Sequence, residues 1–249
     1  MKRLVLICLL FVALVPPSGL SAQGLAFGGL ATVVPEVDSV PTQKSPRPSM
    51  VWQSPLYASL TATSFALGVS PFFSDYAYRQ NRFVREQFQM VRRNHFGHRA
   101  LTFDNFLQAA PIVSVVGLDL LGVKGRHDSW SICRRSFSAG LTVLAFTETV
   151  KRLVDEKRPD YSASNSFPSG HTAFAFAGAE LLRLEYSDAS VAIPIAGFVA
   201  ASLCGMMRIY NDRHWLSDVL AGAAFGVVAA DLSWLLNNWL DDKLTNKNR

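Results

Sequence analysis

From Leu56 to about Asn238 no segment alternates apolar and polar residues at the two-residue period of a half-buried strand. Apolar runs recur instead with helical spacing and length, over 56–69, 74–95, 104–122, 129–153, 171–186, 191–209 and 214–238. Gly and Pro punctuate their ends at Pro71, Gly97, Gly122, Gly125, Pro159 and Pro168. This pattern restricts the chain to an all-α helical bundle. With 249 residues it can close one domain around a sizeable core. That domain is expected over 56–240.

The ends of the chain read differently. Residues 1–22 have the layout of a secretory signal peptide: Lys2 and Arg3, an apolar stretch Leu4–Val15, then Pro16 and Pro17. Small residues Ser21 and Ala22 predict a cut between Ala22 and Gln23; an uncleaved anchor helix is the alternative. Cleavage takes the formal charge from +5 to +3 and removes Cys8. The remaining Cys133 and Cys204 sit in apolar runs, which predicts two buried thiols rather than a disulfide. Residues 23–55 carry five prolines among Ser, Thr, Gln and Gly, and read as a disordered linker.

Composition bears on partners. Apolar residues make up 49% and charged residues 17%, which leans toward a membrane protein. The small, scattered positive excess favours anionic partners but not nucleic acid. In 74–95, Phe83, Val84, Phe88 and Val91 share one arc of a helix, opposite Arg79, Arg82, Arg85, Arg92 and Arg93. Such a helix lies on anionic lipid or presents a solvated arginine face from a bundle. Gly222 and Gly226 form a step that lets helices approach closely, in membranes or in soluble bundles.

Three short stretches carry chemistry. In Lys151–Pro159, Lys151 and Arg158 stand two helical turns apart, and Pro159 disfavours helix at Arg158. A solvated helix end, whose dipole favours Lys and Arg, is the plainer reading of them in isolation. In Ser166–Thr172, Pro168, Ser169 and Gly170 precede His171 at a helix start, where free N–H groups suit a phosphate. A capped helix with a surface His explains this stretch equally well. In Arg208–Asp218, His214 and Asp218 are four apart at a helix start, so the carboxylate can fix the imidazole tautomer. A purely structural pair has the same spacing. Taken together, two imidazoles beside three cations suit phosphoryl transfer.

The three stretches in this order, K-x6-R-P, P-S-G-H and R-x5-H-x3-D, resemble the type 2 phosphatidic acid phosphatase (PAP2) family, which shares its phosphate pocket with vanadium-dependent haloperoxidases. The resemblance covers about residues 104–238. Lys151, Arg158, Pro159, Pro168, Ser169, Gly170, His171, Arg208, His214 and Asp218 all agree with it. Met207 departs from it, because the family usually has Ser there. The resemblance implies a helical bundle of the PAP2/haloperoxidase type, membrane-embedded. It implies His214 as nucleophile through a phosphohistidine, Asp218 orienting it, and His171 as general acid and then base. Lys151, Arg158, Ser169, Gly170 and Arg208 would bind the phosphoryl oxygens. No metal or organic cofactor is required, since fixed cations take the role of Mg²⁺.

The expected substrate is a phosphate monoester or diphosphate of a lipid. A soluble periplasmic acid phosphatase and a vanadate haloperoxidase are the alternatives. Counting spans places the site on the periplasmic or exterior side if 56–69 does not cross. Lys124, Arg126, Arg134 and Arg135 then fall inside with the basic tail, as the positive-inside rule asks. Against crossing, most apolar runs are short and Asp119, Glu148, Glu180 and Arg183 interrupt them.

Overall fold

The computed structural model describes residues 55–95 and 102–247. The signal and linker expectations for 1–54 lie outside the described residues. Seven α-helices follow one another among those described: α1 Pro55–Val69, α2 Asp75–His95, α3 Asp104–Leu120, α4 Ser129–Leu153, α5 Gly170–Tyr186, α6 Ala192–Tyr210 and α7 Leu216–Lys247. A single 3₁₀ turn, Ser70–Phe72, joins α1 to α2, and no strand occurs among the described residues.

α5 is the axis of the bundle, packed by α3, α4, α6 and α7. Its sequence explains why. Ala173, Ala175, Ala177 and Ala179 are wholly buried, so four neighbours can close on a thin helix. Gly226 meets it most closely: a Cβ there would collide with the Ala173 carbonyl oxygen, and would stand 3.0 Å from the Ala177 nitrogen. A second cluster joins α1 to α7 through Phe65, Val69, Ala221, Phe225 and Val228, with the Phe65 and Phe225 rings edge-on at 5.7 Å. Thus 56–69 is a member of the bundle. It runs alongside the first half of α7 and ends near α7's N-terminus.

Helix 129–153 ends at Leu153 as expected, where Val154 turns to extended backbone and packs into the second cluster. Three expectations need correction. The last helix starts at Leu216 rather than His214 and runs to Lys247; Arg134 and Arg135 of α4 pair with Asp241 and hold its far end. Cys133 is exposed, in a row on α4's outer face with Trp130 and Phe137; only Cys204 is buried. The apolar arc of α2 is split. Val84 and Phe88 are half-buried, whereas Phe83 and Val91 are exposed. The face that packs inward is largely polar. Asn81 Nδ2 donates to Ser217 Oγ at 2.8 Å, Arg85 pairs with Asp212 at 2.9 Å, and Gln89 reaches the Tyr210 carbonyl.

Large apolar side chains are also exposed along α3, α4 and α6. On α6, Ile195, Val199, Leu203 and Met206 form one outward row, which Val191 continues just ahead of the helix. α6 and residues Leu216–Leu244 of α7 are long and apolar enough to cross a membrane, by length and composition.

Candidate active site

The site lies where α4 ends, α5 begins, α6 ends and α7 begins. Two loops build it, 154–169 and 211–215. Hydrogen bonds fold the first back on itself: Arg158 N donates to Ala163 O and Ser166 N to Glu156 O, both at 2.9 Å. They also lock it to the second. Trp215 Nε1 donates to the Lys157 carbonyl at 2.8 Å, and Arg213 pairs with Asp160 at 3.3 Å. Asp212 takes a left-handed φ of 56°, which Asp tolerates better than most residues, and this reverses the chain into His214. Arg85 of α2 holds Asp212 in that turn.

His214 is 2% exposed. Its Nδ1 faces Asp218 Oδ2 at 3.5 Å, which leaves Nε2 as the nitrogen available to an electrophile. The same Asp218 oxygen accepts from Ser166 Oγ at 2.5 Å and from Trp215 N at 2.8 Å. Asp218 therefore does two jobs: it caps the first turn of α7 and faces the imidazole. Burial lowers the His214 pKa; Asp218 opposes that shift, and Arg208 and Arg158 add to it. The ring is thus held neutral at neutral pH, the form with a lone pair to give.

The cations ring this imidazole. Arg158 lies in the electrostatic field of Arg208 and Arg213, and its pKa is lowered chiefly by burial and then by those two neighbours. Arg208 is nearly buried and pairs with Asp104 of α3, yet its Nε has no hydrogen-bond partner among the described residues. An orphaned buried guanidinium N–H beside further cations fits an oxyanion. Lys151 Nζ stands 3.5 Å from where a Cβ would lie on Gly170, so the missing side chain leaves room at the start of α5. Ser169 caps that helix by accepting from Thr172 N, and its own N–H donates to the Asp218 carbonyl. α7 presses on the same loop: a Cβ on Gly222 would come 2.5 Å from the Ser169 carbonyl. His171 follows on the first turn of α5, within electrostatic reach of Arg208, His214 and Lys151, and its Nε2 meets Asn105 Oδ1 at 3.0 Å.

Residues 136–242 match the PAP2 superfamily. The chain carries a PAP2 superfamily domain. A lipid A 1-phosphatase of Porphyromonas gingivalis is 40% identical over 160 residues, which is 64% of this chain and 35% of that protein. A probable diacylglycerol pyrophosphate phosphatase of Schizosaccharomyces pombe is 36% identical over 76 residues, 26% of this chain and 27% of the other. The chain thus spans about a third of the length of these curated relatives. Among solved structures, the first transmembrane PAP2 type phosphatidylglycerolphosphate phosphatase from Bacillus subtilis superposes with a TM-score of 0.56 at 21% identity. It covers 74% of this chain and 95% of that one, and it shares the fold.

The PAP2 domain brings all eight expected site residues to one end of the bundle. Met207 faces away from them, into the cluster of Leu107, Ala175 and Ala179. Four further side chains of the site had no role in the sequence reading. Ser166 is wholly buried against Asp218. Asp104 and Asn105 open α3 and meet Arg208 and His171. Glu156 lies within electrostatic reach of Asp218, and burial, then Asp218 and Asp155, push its pKa up to about 7. Ser166 could have been found from its place two residues before Pro168. Asp104 and Asn105 look like ordinary first-turn residues of a helix, and no spacing ties them to the three motifs. Among the described residues no three His, Cys, Asp or Glu side chains gather as metal ligands do.

Proposed function

We propose that this protein is a metal-independent phosphatase that removes a phosphate from a lipid monoester or diphosphate through a phosphohistidine on His214. The observation that carries this reading is the buried His214, backed by Asp218 and facing a ring of cations that includes the unpartnered Arg208 Nε. His214 Nε2 attacks phosphorus while Lys151, Arg158, Arg208, Ser169 and the Gly170 N–H take the equatorial oxygens. The P–O bond to the lipid breaks, and His171 protonates the leaving oxygen. His171 then takes a proton from the water that attacks the phosphohistidine, and inorganic phosphate departs.

A lipid substrate is favoured by the exposed apolar surface of α3, α4 and α6 and by the two helices able to cross a membrane. The relatives named for lipid phosphates point the same way. The proposed location is the membrane, with the site facing the periplasm or exterior. α1 ends at the site, so if it crosses, the chain ahead of it must approach from the inner side. A signal cleaved between Ala22 and Gln23 fits this only if α1, about 22 Å long, stops short of the inner face. The exposed row Tyr76, Phe83 and Met90 on α2, flanked by arginines, suits an interfacial position across the ends of α6 and α7.

The test is phosphate release, with EDTA present, from phosphatidic acid and lipid A 1-phosphate in vesicles and from p-nitrophenyl phosphate in solution. Faster turnover of a vesicle lipid by protein that resists a carbonate wash supports the proposal. Carbonate release together with exclusive use of the soluble ester favours the soluble acid phosphatase, and halide oxidation with vanadate favours the haloperoxidase.

A further inference from the structure

His171 is asked to give a proton to the leaving group, yet nothing in the three motifs holds its ring. His214 has Asp218 for that purpose. Its equivalent for His171 comes from α3, an element the motifs do not include. Asn105, in the first turn of α3, places Oδ1 3.0 Å from His171 Nε2, a contact between residues 66 apart in sequence. Its neighbour Asp104 pairs with Arg208. One turn of helix therefore reaches both the acid and a phosphate-binding cation. α3 is fixed for this by its packing on α5 and α6, where Leu107 enters the cluster of Ala175, Ala179 and Ala201.

We infer that Asn105 is a positioning residue for the general acid: its carbonyl oxygen holds His171 Nε2–H and so makes Nδ1 the atom that transfers the proton. The inference rests on the role proposed for His171. Oδ1 can only accept, so Nε2 must carry hydrogen in every state in which the contact is kept. The neutral ring is then bare at Nδ1, and the imidazolium bears its mobile proton there. As His214 forms the N–P bond, the P–O bond breaks and its electron pair goes to the leaving oxygen. That oxygen takes the proton from Nδ1, and His171 is left as the Nε2–H tautomer. In the second half Nδ1 accepts the proton of the attacking water. The fixed tautomer thus serves both steps without a ring flip. An amide suits the post better than a carboxylate. It orients the ring without a full negative charge beside the pocket that must accept phosphate, whereas Asp218 stands behind the nucleophile and away from it. Asn105 is exposed, which puts it at the mouth of the site rather than in the core. The exposed Phe103 and Phe106, their rings stacked at 5.5 Å, flank it. This is where an apolar leaving group would exit.

A leaving group that needs no proton separates this role from a structural one. The full-length protein in detergent micelles is assayed for kcat/KM, which reports steps up to phosphoenzyme formation, on n-hexyl phosphate and p-nitrophenyl phosphate. Asn105→Ala is expected to lose on the order of 10- to 100-fold on the alkyl ester, with a loss at least about tenfold smaller on the aryl ester. Asn105→Asp keeps an acceptor and should restore part of the alkyl activity. His171→Ala is run in parallel and should show the same leaving-group dependence in stronger form. Equal losses on both esters for Asn105→Ala, or no loss on either, overturn the inference. If His171→Ala itself shows no leaving-group dependence, it is the general-acid role that fails.

Discussion

Replacing Asp218 with Asn probes the catalytic and the structural job of one carboxylate. Oδ2 accepts from Ser166 and Trp215 and faces His214, while Oδ1 is buried with no partner among the described residues. An Asn whose oxygen takes the Oδ2 position keeps the Ser166 and Trp215 bonds and buries its NH₂ without an acceptor. That orphan costs about 1–3 kcal/mol of stability. Catalysis should suffer more. At 3.5 Å a carboxylate stabilises positive charge on the ring by roughly 4–5 kcal/mol at an effective dielectric of about 20. Positive charge develops on His214 as the N–P bond forms, so this interaction is stronger in the transition state than before it. A loss of about 3–5 kcal/mol corresponds to about 10²–10⁴ in kcat, and the comparable Asp-to-Asn change in serine hydrolases, about 10⁴, lies at the upper end. KM should move little, because the groups that grip phosphate remain. The assay pairs kcat on a lipid phosphate with a thermal melt. Near-normal kcat in a folded Asp218→Asn protein would refute the reasoning and leave Asp218 as a helix cap.

Other consequences are accessible to simple measurements. Activity should persist in EDTA and be competitively inhibited by vanadate, a five-coordinate mimic of the phosphoryl group; restoration of chelated enzyme by Mg²⁺ or Zn²⁺ would contradict the pocket as read here. Glu156 is raised from 4.5 to about 7, so it favours the folded state most below 4.5 and loses that contribution as pH rises through 7. Glu156→Gln should therefore flatten the fall in Tm across that window; an unchanged slope would show that Glu156 is not held neutral. Gly226→Ala should lower stability by roughly 1–3 kcal/mol, since the new methyl meets the backbone of α5. Gly117→Ala, in open space on α3, serves as the control and should not destabilise.

The elements were legible in the sequence for the reason that makes helices easy to read: apolar spacing and Gly or Pro at the ends act locally. The site residues were legible because three motifs place Lys151, His171 and His214 beside helix termini, and the bundle carries those termini to one end. What escaped depends on contacts between distant segments. Nothing local distinguishes Asn105 from any first-turn Asn, and only the packing of α3 on α5 brings it to His171. The exposure of Cys133 escaped likewise, because an apolar run on α4 turns one face outward and not into the core. On α2 the periodicity was real, but polar anchors to Tyr210, Asp212 and Ser217 decide which face turns inward. A tertiary preference of that kind overrides amphipathic pattern.

The central claim is that phosphate passes through His214. The direct measurement is a rapid alkaline quench of enzyme turning over a radiolabelled phosphate ester, followed by mass mapping of the labelled peptide. Alkali is needed because phosphohistidine is lost in acid. The account predicts transient label on His214 in the unaltered protein and none in His214→Ala. Label on any other residue, or label that persists in His214→Ala, would contradict it.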